Sequence, residues 1–421
     1  MSPYKQNTLA IIVGGGPAPG INSVISAVTI EARKNGWEVF GIYDGFSHLA
    51  EGEKKVVPLS IDMVSRIHLD GGSIIRTSRV NPTKNEAHLH NVVNSLVDLG
   101  VTHLVTIGGD DTAYSASRVS EYAQKKLGVS ILVVHVPKTI DNDLPLPEGI
   151  PTFGFETARS LGAQIVTNLM TDAKTTGRWF FVVAMGRQSG YLALGIGKSA
   201  GATVTLIPEE FKQSDLKLKF LSDVLTGSII KRMANNRNYG VAVMAEGLIE
   251  KIAADLENLD NIERDEHGHV RFAELNFSDI IKREVQKNLK SLGIKMTIVD
   301  KEIGYEVRCA PPNAYDVEYT RNLGYAAFDF IKNGGTNAII SIQNDQIVPL
   351  PFDQILDPIT KKTQVRRVNI NSIQYRIARQ YMIRLESDDF SPSINLDRMA
   401  MIANQTPDQF KERFQYITEK V

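Results

Sequence analysis

The stretch from residue 102 to residue 143, THLVTIGGDDTAYSASRVSEYAQKKLGVSILVVHVPKTIDND, decides the fold. An apolar run of mainly β-branched residues at 102–107 is followed by an amphipathic segment at 112–127 and by a second apolar run at 131–136. Continuous apolar runs are typical of strands covered on both faces, and strand–helix–strand alternation is typical of parallel sheets. The stretch therefore predicts one unit of a parallel α/β sheet.

The same alternation recurs along most of the chain. Right-handed crossovers between parallel strands place the intervening helices on both faces of a sheet. We therefore expect an α/β protein with mostly parallel sheets in three-layer α/β/α lobes. Further apolar runs predict strands at 8–13, 37–42, 180–185, 202–207, 239–245 and 337–343.

Two breaks in the alternation divide the chain. The Pro- and Gly-rich stretch LPLPEGIP at 144–151 is typical of a passage between lobes. The proline pair at 311–312 marks the expected return of the chain to the first lobe. The expected lobes are residues 1–150 with 311–350, and residues 151–310.

The last segment, 351–421, differs in pattern from the rest of the chain. It shows short helical patterns and no obvious strand, so we predict a C-terminal extension that packs on the lobes. It contains the basic run KKTQVRR at 361–367, and we expect Arg366 and Arg367 to lie on a solvated or interface surface.

Size and composition exclude several classes of protein. At about 150 residues per domain, 421 residues make two or three domains, and 43% hydrophobic residues suffice for their cores. Lys plus Arg number 47 against 48 for Asp plus Glu, so no basic excess indicates a nucleic acid or an anionic membrane as partner. The single cysteine, Cys309, excludes an intrachain disulfide and a cysteine-cluster metal site. With no long apolar run and no signal-peptide pattern, a cytoplasmic protein is expected.

The first strand is followed by a glycine-rich loop, GGGPAPG at 14–20. Glycines let backbone N–H groups approach an anion, and the helix that follows adds a favourable dipole. The dinucleotide fingerprint fails because Pro19 stands where its third Gly belongs, which disfavours a nicotinamide dehydrogenase. The Walker spacing matches, but Ile21 and Asn22 replace its Lys and Ser/Thr. A phosphate loop without the Walker lysine and a plain tight turn both remain open.

A second turn, GGDDT at 108–112, places two adjacent carboxylates at the end of a predicted strand. Ligands bind at that edge in open α/β sheets. A divalent cation would relieve the repulsion between Asp110 and Asp111, and Mg²⁺ commonly uses one or two carboxylates together with substrate phosphates. The alternative is an exposed turn whose Asp caps a helix.

A third turn, PKTIDND at 137–143, again follows a strand. Asp141 can accept a hydroxyl proton as a general base, and Lys138 can neutralise charge on a phosphoryl group in transfer. A turn-forming Asn-Asp stretch is the plainer interpretation. Taken together, the three turns predict phosphate, metal and base at one edge of one sheet.

These three turns, in this order, resemble the phosphofructokinase family. GGPAPG at 15–20 matches the family's first loop except at Pro17, GGD at 108–110 matches its metal turn, and TIDND at 139–143 matches its catalytic turn in full. The resemblance covers roughly residues 8–345 and implies two Rossmann-like lobes in the phosphofructokinase fold. Further matches are the GGS segment 71–73 leading to Arg79 (with Arg76 where a Gly is common), Arg178, MGR at 185–187, PEE at 208–210 and AEG at 245–247.

Two positions separate the family's donor classes. ATP users typically have Gly after the metal-turn Asp and Gly before T-I-D, whereas this chain has Asp111 and Lys138, as pyrophosphate users do. A carboxylate at position 111 would repel the α-phosphate of a nucleotide. The segment YEVR at 305–308 resembles the sugar-binding motif of the pyrophosphate class. The resemblance therefore implies reversible phosphoryl transfer from pyrophosphate to the 1-hydroxyl of fructose 6-phosphate, in glycolysis and gluconeogenesis.

The resemblance also implies a role for each matching residue. Asp141 would be the base, Asp110 would hold Mg²⁺, and Gly15 with Lys138 would bind pyrophosphate in the first lobe, with Arg79 and Asp111 assisting. Arg178 would reach the site of a neighbouring subunit, so a homodimer or homotetramer is expected. The implied sugar-phosphate residues, most of them in the second lobe, are Thr139, Ile140, Asp141, Met185, Gly186, Arg187, Glu246, Tyr305, Glu306, Val307 and Arg308.

Three rival functions share the same fold. The chain could use ATP, which Asp111 and Lys138 disfavour, or it could phosphorylate sedoheptulose 7-phosphate, since pocket size cannot be inferred from the sequence. It could also be a silent regulatory subunit that binds phosphates, although such a subunit would be expected to lack Asp110 or Asp141, and both are present.

Overall fold

A computed structural model describes residues 7–211, 216–256, 275–355 and 364–418 and divides the chain into two compact units. Unit 1 consists of Met1–Ala158 and Tyr305–Arg366, and unit 2 of Arg159–Gly304 and Arg367–Val421. The crossings between units thus fall near residues 158, 304 and 366 rather than at 150 and 310. The segment after residue 350 is divided between the two units instead of forming a separate extension.

The strands predicted from apolar runs are all present, with bounds that shift by at most two residues. The strands are β1 Thr8–Val13, β2 Glu38–Ile42, β3 Val56–Pro58, β4 His103–Gly108, β5 Leu132–Pro137, β6 Trp179–Ala184, β7 Val204–Leu206, β8 Gly240–Ala245, β9 Ile298–Ile303, β10 Ala338–Gln343 and β11 Gln346–Pro351. The α-helices are α1 Ile21–Lys34, α2 Ser47–Ala50, α3 Ile61–Val64, α4 Glu86–Asp98, α5 Asp110–Leu127, α6 Phe155–Thr176, α7 Tyr191–Ala200, α8 Leu218–Ala234, α9 Leu248–Lys251, α10 Ala253–Leu256, α11 Phe277–Ser291, α12 Tyr305–Arg308, α13 Ala314–Lys332, α14 Phe352–Ile355, α15 Ile373–Gln380, α16 Ile394–Ile402 and α17 Pro407–Phe414.

Unit 1 is built on a seven-stranded sheet in the order β11-β10-β5-β4-β1-β2-β3. The five inner strands are parallel, and the two edge strands, β3 and β11, pair antiparallel with their neighbours. Alternate residues of β1 belong to different apolar clusters: Leu9 and Ile11 pack with α1 and α13, whereas Ala10 and Ile12 pack with α4 and α5. Helices therefore cover both faces of the sheet, as predicted.

Unit 2 is built on a parallel sheet in the order β7-β8-β6-β9. Its core joins β6 and β8 to α8 and α11, and it also includes Leu385, Phe390, Phe410 and Phe414 from the C-terminal segment. Arg384 pairs with Glu210, and both side chains are buried. The described residues from 367 onward therefore contribute side chains to the unit 2 core. No helix in the described parts of the chain is both long and apolar enough to cross a bilayer.

Candidate active site

The three turns predicted to carry chemistry follow β1, β4 and β5, which are neighbours in the unit 1 sheet. Parallel strands end at one edge of a sheet, so the turns lie side by side. The Gly15 N–H donates to Ser78 O at 2.8 Å, which joins the first loop to the segment that leads to Arg79. Gly15 has φ 81°, a left-handed conformation that favours glycine.

Three cationic side chains converge on the glycine loop. Lys138 Nζ donates to Gly16 O. A Cβ placed on Gly15 would lie 3.2 Å from Lys138 Nζ, and one on Gly16 would lie 2.9 Å from Arg308 Nη1 and 3.9 Å from Arg79 Nη2. Glycine at these two positions therefore leaves room for the cations. Such a concentration of positive charge is suited to a small polyanion.

Lys138 is buried, and its surroundings lower the pKa of its ammonium group. Burial is the main cause that lowers the pKa of Lys138, the Asp141 carboxylate opposes it and the charge of Arg308 adds to it, and the net pKa is about 8. Its backbone N–H donates to Gly108 O at 2.8 Å, which connects the third turn to the second. Lys138 is thus a cation whose charge depends on pH near neutrality.

Two carboxylates from different turns lie close enough to affect each other. Burial raises the pKa of Asp110, as does the charge of Asp111 beside it. Burial also raises the pKa of Asp143, and the charge of Asp110 adds to this effect. A divalent cation shared by Asp110 and Asp143 would remove that repulsion. Sequence reasoning did not assign a role to Asp143, although it is the second acid of the TIDND turn.

The donor set at this point fits Mg²⁺. Mg²⁺ usually takes one or two carboxylates and fills its other positions with water and substrate phosphates. Among the described residues, no group of three or more His, Cys, Asp or Glu side chains could enclose a metal. The pair Asp110 and Asp143 beside the three cations therefore suits a cation that arrives with a phosphate ligand.

The third turn holds Asp141 next to Lys138. The Asp141 N–H donates to Thr139 Oγ1 at 3.1 Å, and Thr139 O accepts from Thr152 Oγ1 at 2.7 Å. The charge of Asp141 acts on the pKa of Lys138, so the two side chains are close in space. The Ile140 side chain is buried, so it supports the turn from the interior.

Asp111 lines a cavity that opens beside the turns. The cavity has a volume of about 260 Å³, and Gly15, Arg79 and Asp110 also line it. Asn81 Nδ2 donates to Asp111 Oδ1 at 3.5 Å. The Asp111 carboxylate therefore lines this cavity, where its negative charge can repel a larger anionic donor.

The YEVR segment forms the four-residue helix α12 in unit 1. Its Arg308 guanidinium lies 4.7 Å from the centre of the Tyr305 ring and reaches the glycine loop. Tyr305 and Glu306 are exposed, whereas Val307 is completely buried, so the Val307 side chain packs in the core.

The MGR and AEG segments meet in unit 2 at the ends of two neighbouring strands. Gly186 N–H donates to Glu246 Oε2 at 3.3 Å, and Gly247 N–H donates to Gly186 O at 3.2 Å. A Cβ on Gly247 would lie 2.3 Å from Arg187 O, so only glycine permits this approach. The structure thus brings Met185, Gly186, Arg187 and Glu246 together.

Arg178 lies apart from this group within the same chain. It immediately precedes β6, whereas Met185 immediately follows it, so the two residues stand at opposite ends of a strand about 20 Å long. Its Nε lies 3.7 Å from Asp172 Oδ1. Arg178 therefore cannot join Met185–Arg187 without a second copy of the chain.

Comparison with known proteins decides the family. A family model described as phosphofructokinase matches residues 8–331. The chain belongs to the phosphofructokinase family. It is 52% identical over 420 residues to a pyrophosphate–fructose 6-phosphate 1-phosphotransferase of Thermotoga maritima, covering 98% of this chain and 99% of that one. It is 48% identical over 430 residues to the enzyme of the same name from Naegleria fowleri, covering 100% of this chain and 98% of that one.

The fold matches solved phosphofructokinases as well. The pyrophosphate-dependent phosphofructokinase of Marinobacter aquaeolei superposes with a TM-score of 0.65 at 18% identity, covering 89% of this chain and 90% of that one. The phosphofructokinase of Saccharomyces cerevisiae gives a TM-score of 0.65 at 19% identity, covering 98% of this chain and 50% of that one. These likenesses confirm the predicted phosphofructokinase fold.

Arg76, where a phosphofructokinase commonly has Gly, has φ 57° in this chain. This left-handed conformation explains why glycine suits the position. The Arg76 side chain is exposed, and its Nη1 lies 3.5 Å from Asp44 Oδ2. Its side chain contacts Asp44 and the ring of Tyr43, and neither residue belongs to the three turns.

Proposed function

We propose that this phosphofructokinase transfers a phosphoryl group from pyrophosphate to the 1-hydroxyl of fructose 6-phosphate, reversibly, giving fructose 1,6-bisphosphate and phosphate. One observation carries the proposal: the buried Lys138 ammonium stands at the glycine loop with Arg79 and Arg308, beside Asp141. A compact diphosphate can satisfy Lys138 and Arg79 in so small a space, which leaves Arg308 for the acceptor. The relatives from Thermotoga maritima and Naegleria fowleri carry the name of this activity.

The residues of unit 1 divide the chemistry between them. Asp141 accepts the proton of the sugar hydroxyl, whose oxygen then attacks phosphorus in line. Lys138 and Arg79 offset the charge on the phosphoryl group in transfer, while the loop at Gly15 holds the rest of the donor. Asp110 and Asp143 would hold Mg²⁺, which supplies further neutralisation of donor oxygens when bound.

The sugar phosphate is assigned to the residues that match the family's sugar-binding motifs. In unit 2, Arg187 supplies positive charge, and Glu246, which accepts from the Gly186 N–H, fixes the MGR turn. Arg308 is assigned to the sugar phosphate by its place in the YEVR motif. The full proposed set is Thr139, Ile140, Asp141, Met185, Gly186, Arg187, Glu246, Tyr305, Glu306, Val307 and Arg308, together with Arg178 of a second copy.

The activity is tested by assaying fructose 6-phosphate with pyrophosphate and, separately, with ATP, each with Mg²⁺ and with a chelator. We expect turnover with pyrophosphate and Mg²⁺ only. Turnover with ATP at a comparable kcat/KM would contradict the donor assignment, and turnover unaffected by the chelator would contradict the Mg²⁺ assignment. Sedoheptulose 7-phosphate in place of fructose 6-phosphate measures the breadth of the acceptor site.

The pH dependence of pyrophosphate use reports on Lys138. Its pKa of about 8 means that the ammonium is mostly charged below pH 8 and mostly neutral above it. We therefore expect kcat/KM for pyrophosphate, which reflects the free enzyme, to fall by about tenfold per pH unit above that value. The fall should be absent in Lys138→Arg, because arginine stays protonated. A fall caused by titration of pyrophosphate itself would persist in that variant.

Arg178 provides a test of the proposed homodimer or homotetramer. Removing a charge-assisted hydrogen bond to the sugar phosphate should lower kcat/KM of Arg178→Ala by about 10–100-fold. Co-expression with Asp141→Asn under two different tags, followed by purification on both, isolates mixed oligomers. If subunits share sites, a mixed dimer should recover about half of the wild-type activity, because one of its two sites is intact. Mixed oligomers as inactive as their parents would contradict a shared site.

The cytoplasmic location stays a prediction. It rests on the sequence pattern described above, in which no apolar run is long enough to span a bilayer. Fractionation of cells that express the protein, followed by immunoblotting, measures this directly. Recovery with the membrane pellet would contradict the prediction.

A further inference from the structure

Arg366, which the sequence pattern assigns to a solvated or interface surface, contacts the end of the catalytic turn and the segment that follows it. Arg366 and its partner Asn142 both belong to unit 1 and are 224 positions apart in the sequence. Its backbone N–H also donates to Asp143 O at 2.7 Å. The guanidinium donates from Nε to Asn142 O at 3.1 Å, from Nη2 to Asn142 Oδ1, and from Nη1 to Leu146 O at 3.2 Å, Pro147 O at 3.3 Å and Ile150 O at 2.7 Å.

The contacts suit the chemistry of arginine. The guanidinium offers five N–H donors in a rigid planar arrangement and has no hydrogen-bond acceptor. Residues 142–150 contain two prolines and one glycine and form neither helix nor strand, so their carbonyls have no partners in a regular ladder. One side chain gathers four of these carbonyls and thereby closes the segment into a compact loop.

The loop begins at the residue between the two functional acids. Asn142 has φ 56°, a left-handed conformation that needs support in any residue other than glycine. Its side-chain oxygen accepts from Arg366 and from Thr152 N–H, the latter at 3.0 Å. Arg366 therefore holds Asn142 from both the backbone and the side chain. The directions of the neighbouring Asp141 and Asp143 depend on that backbone.

We propose that Arg366 is a positioning residue for the catalytic turn: it sets the direction of the Asp141 carboxylate by fixing the backbone at Asn142. The inference rests on the proposed function, because Asp141 is the base of that reaction. Arg366 is not among the residues assigned to the donor or the acceptor. A base that is displaced by about 1 Å can cost 10²-fold in rate, so the effect should appear in kcat.

The experiment compares Arg366→Ala and Arg366→Lys with Arg367→Ala in the full chain. Arg367 is the adjacent basic residue, and its side chain makes none of the contacts to residues 142–150 described above, so its replacement controls for loss of a nearby charge. Lysine keeps the positive charge at position 366 but lacks the planar set of N–H donors of the guanidinium. For each protein, kcat and both KM values are measured with pyrophosphate and fructose 6-phosphate, together with the unfolding temperature.

We expect Arg366→Ala to lose about 10²-fold in kcat with KM values changed by less than about threefold. Arg366→Lys should be intermediate, Arg367→Ala should keep the wild-type kcat, and guanidinium added at a non-denaturing concentration should restore part of the kcat of Arg366→Ala. The inference is overturned if Arg366→Ala folds and keeps the wild-type kcat. It is also overturned if the whole loss of kcat/KM comes from a higher KM. If Arg366→Ala does not fold, Arg366→Lys decides by the same criteria.

The two proposals fail in different ways. A wild-type enzyme without pyrophosphate-dependent turnover overturns the proposed function and this inference with it. An active wild type accompanied by an unimpaired Arg366 variant overturns the inference alone.

Discussion

Replacement of Asp141 by Asn should lower kcat by about 10²–10⁴-fold, the contribution typical of a positioned general base. The substitution preserves the shape of the side chain and removes only its ability to accept the sugar proton. The Asp141 N–H bond to Thr139 Oγ1 involves the backbone and should persist, so the unfolding temperature should change little. Steady-state kinetics with pyrophosphate and calorimetric melting measure the two quantities.

Asp143→Asn is the matched control, because it makes the same chemical change two residues away. Asp143 is assigned to the cation rather than to the proton, so this variant should need more Mg²⁺ for half-maximal rate. The Mg²⁺ requirement of Asp141→Asn should stay close to that of the wild type. Near-normal turnover of Asp141→Asn would remove Asp141 from the role of base.

The double variant Asp111→Gly/Lys138→Gly is expected to change the choice of donor. Loss of the Lys138 ammonium removes a preorganised charge from the site of transfer, which should lower kcat with pyrophosphate by about 10²–10³-fold. Loss of the Asp111 carboxylate removes the negative charge from the wall of the 260 Å³ cavity, so ATP should become a measurable donor. Competition assays with both donors give the ratio of the two kcat/KM values.

The single variants separate the two effects. Asp111→Gly alone should admit ATP while retaining most pyrophosphate activity, whereas Lys138→Gly alone should lose pyrophosphate activity without gaining ATP activity. If ATP is still rejected by the double variant, exclusion depends on the shape of the cavity rather than on the charge at position 111.

Three strands, β3, β9 and β11, escaped sequence reasoning, and each lies at the edge of its sheet. β9, Ile298–Ile303, carries Asp300, Lys301 and Glu302 in its centre and lies at the edge of its sheet, where polar side chains reach water. β11 contains two prolines, which only an edge strand tolerates. An apolar run identifies a strand buried on both faces, but an edge strand is defined by the neighbour with which it pairs.

The local sequence determined the buried strands and the placement of the three turns, because buried parallel strands require apolar runs and parallel strands end at one edge. The identities at Asp111 and Lys138, which indicate the donor class, are likewise local properties. Only the tertiary structure decided that Asp143 lies near Asp110, that Glu246 accepts from the Gly186 N–H, and that Arg366 holds the loop after Asp141. Such pairings join residues far apart in the chain, and their geometry depends on how whole elements pack rather than on any local pattern.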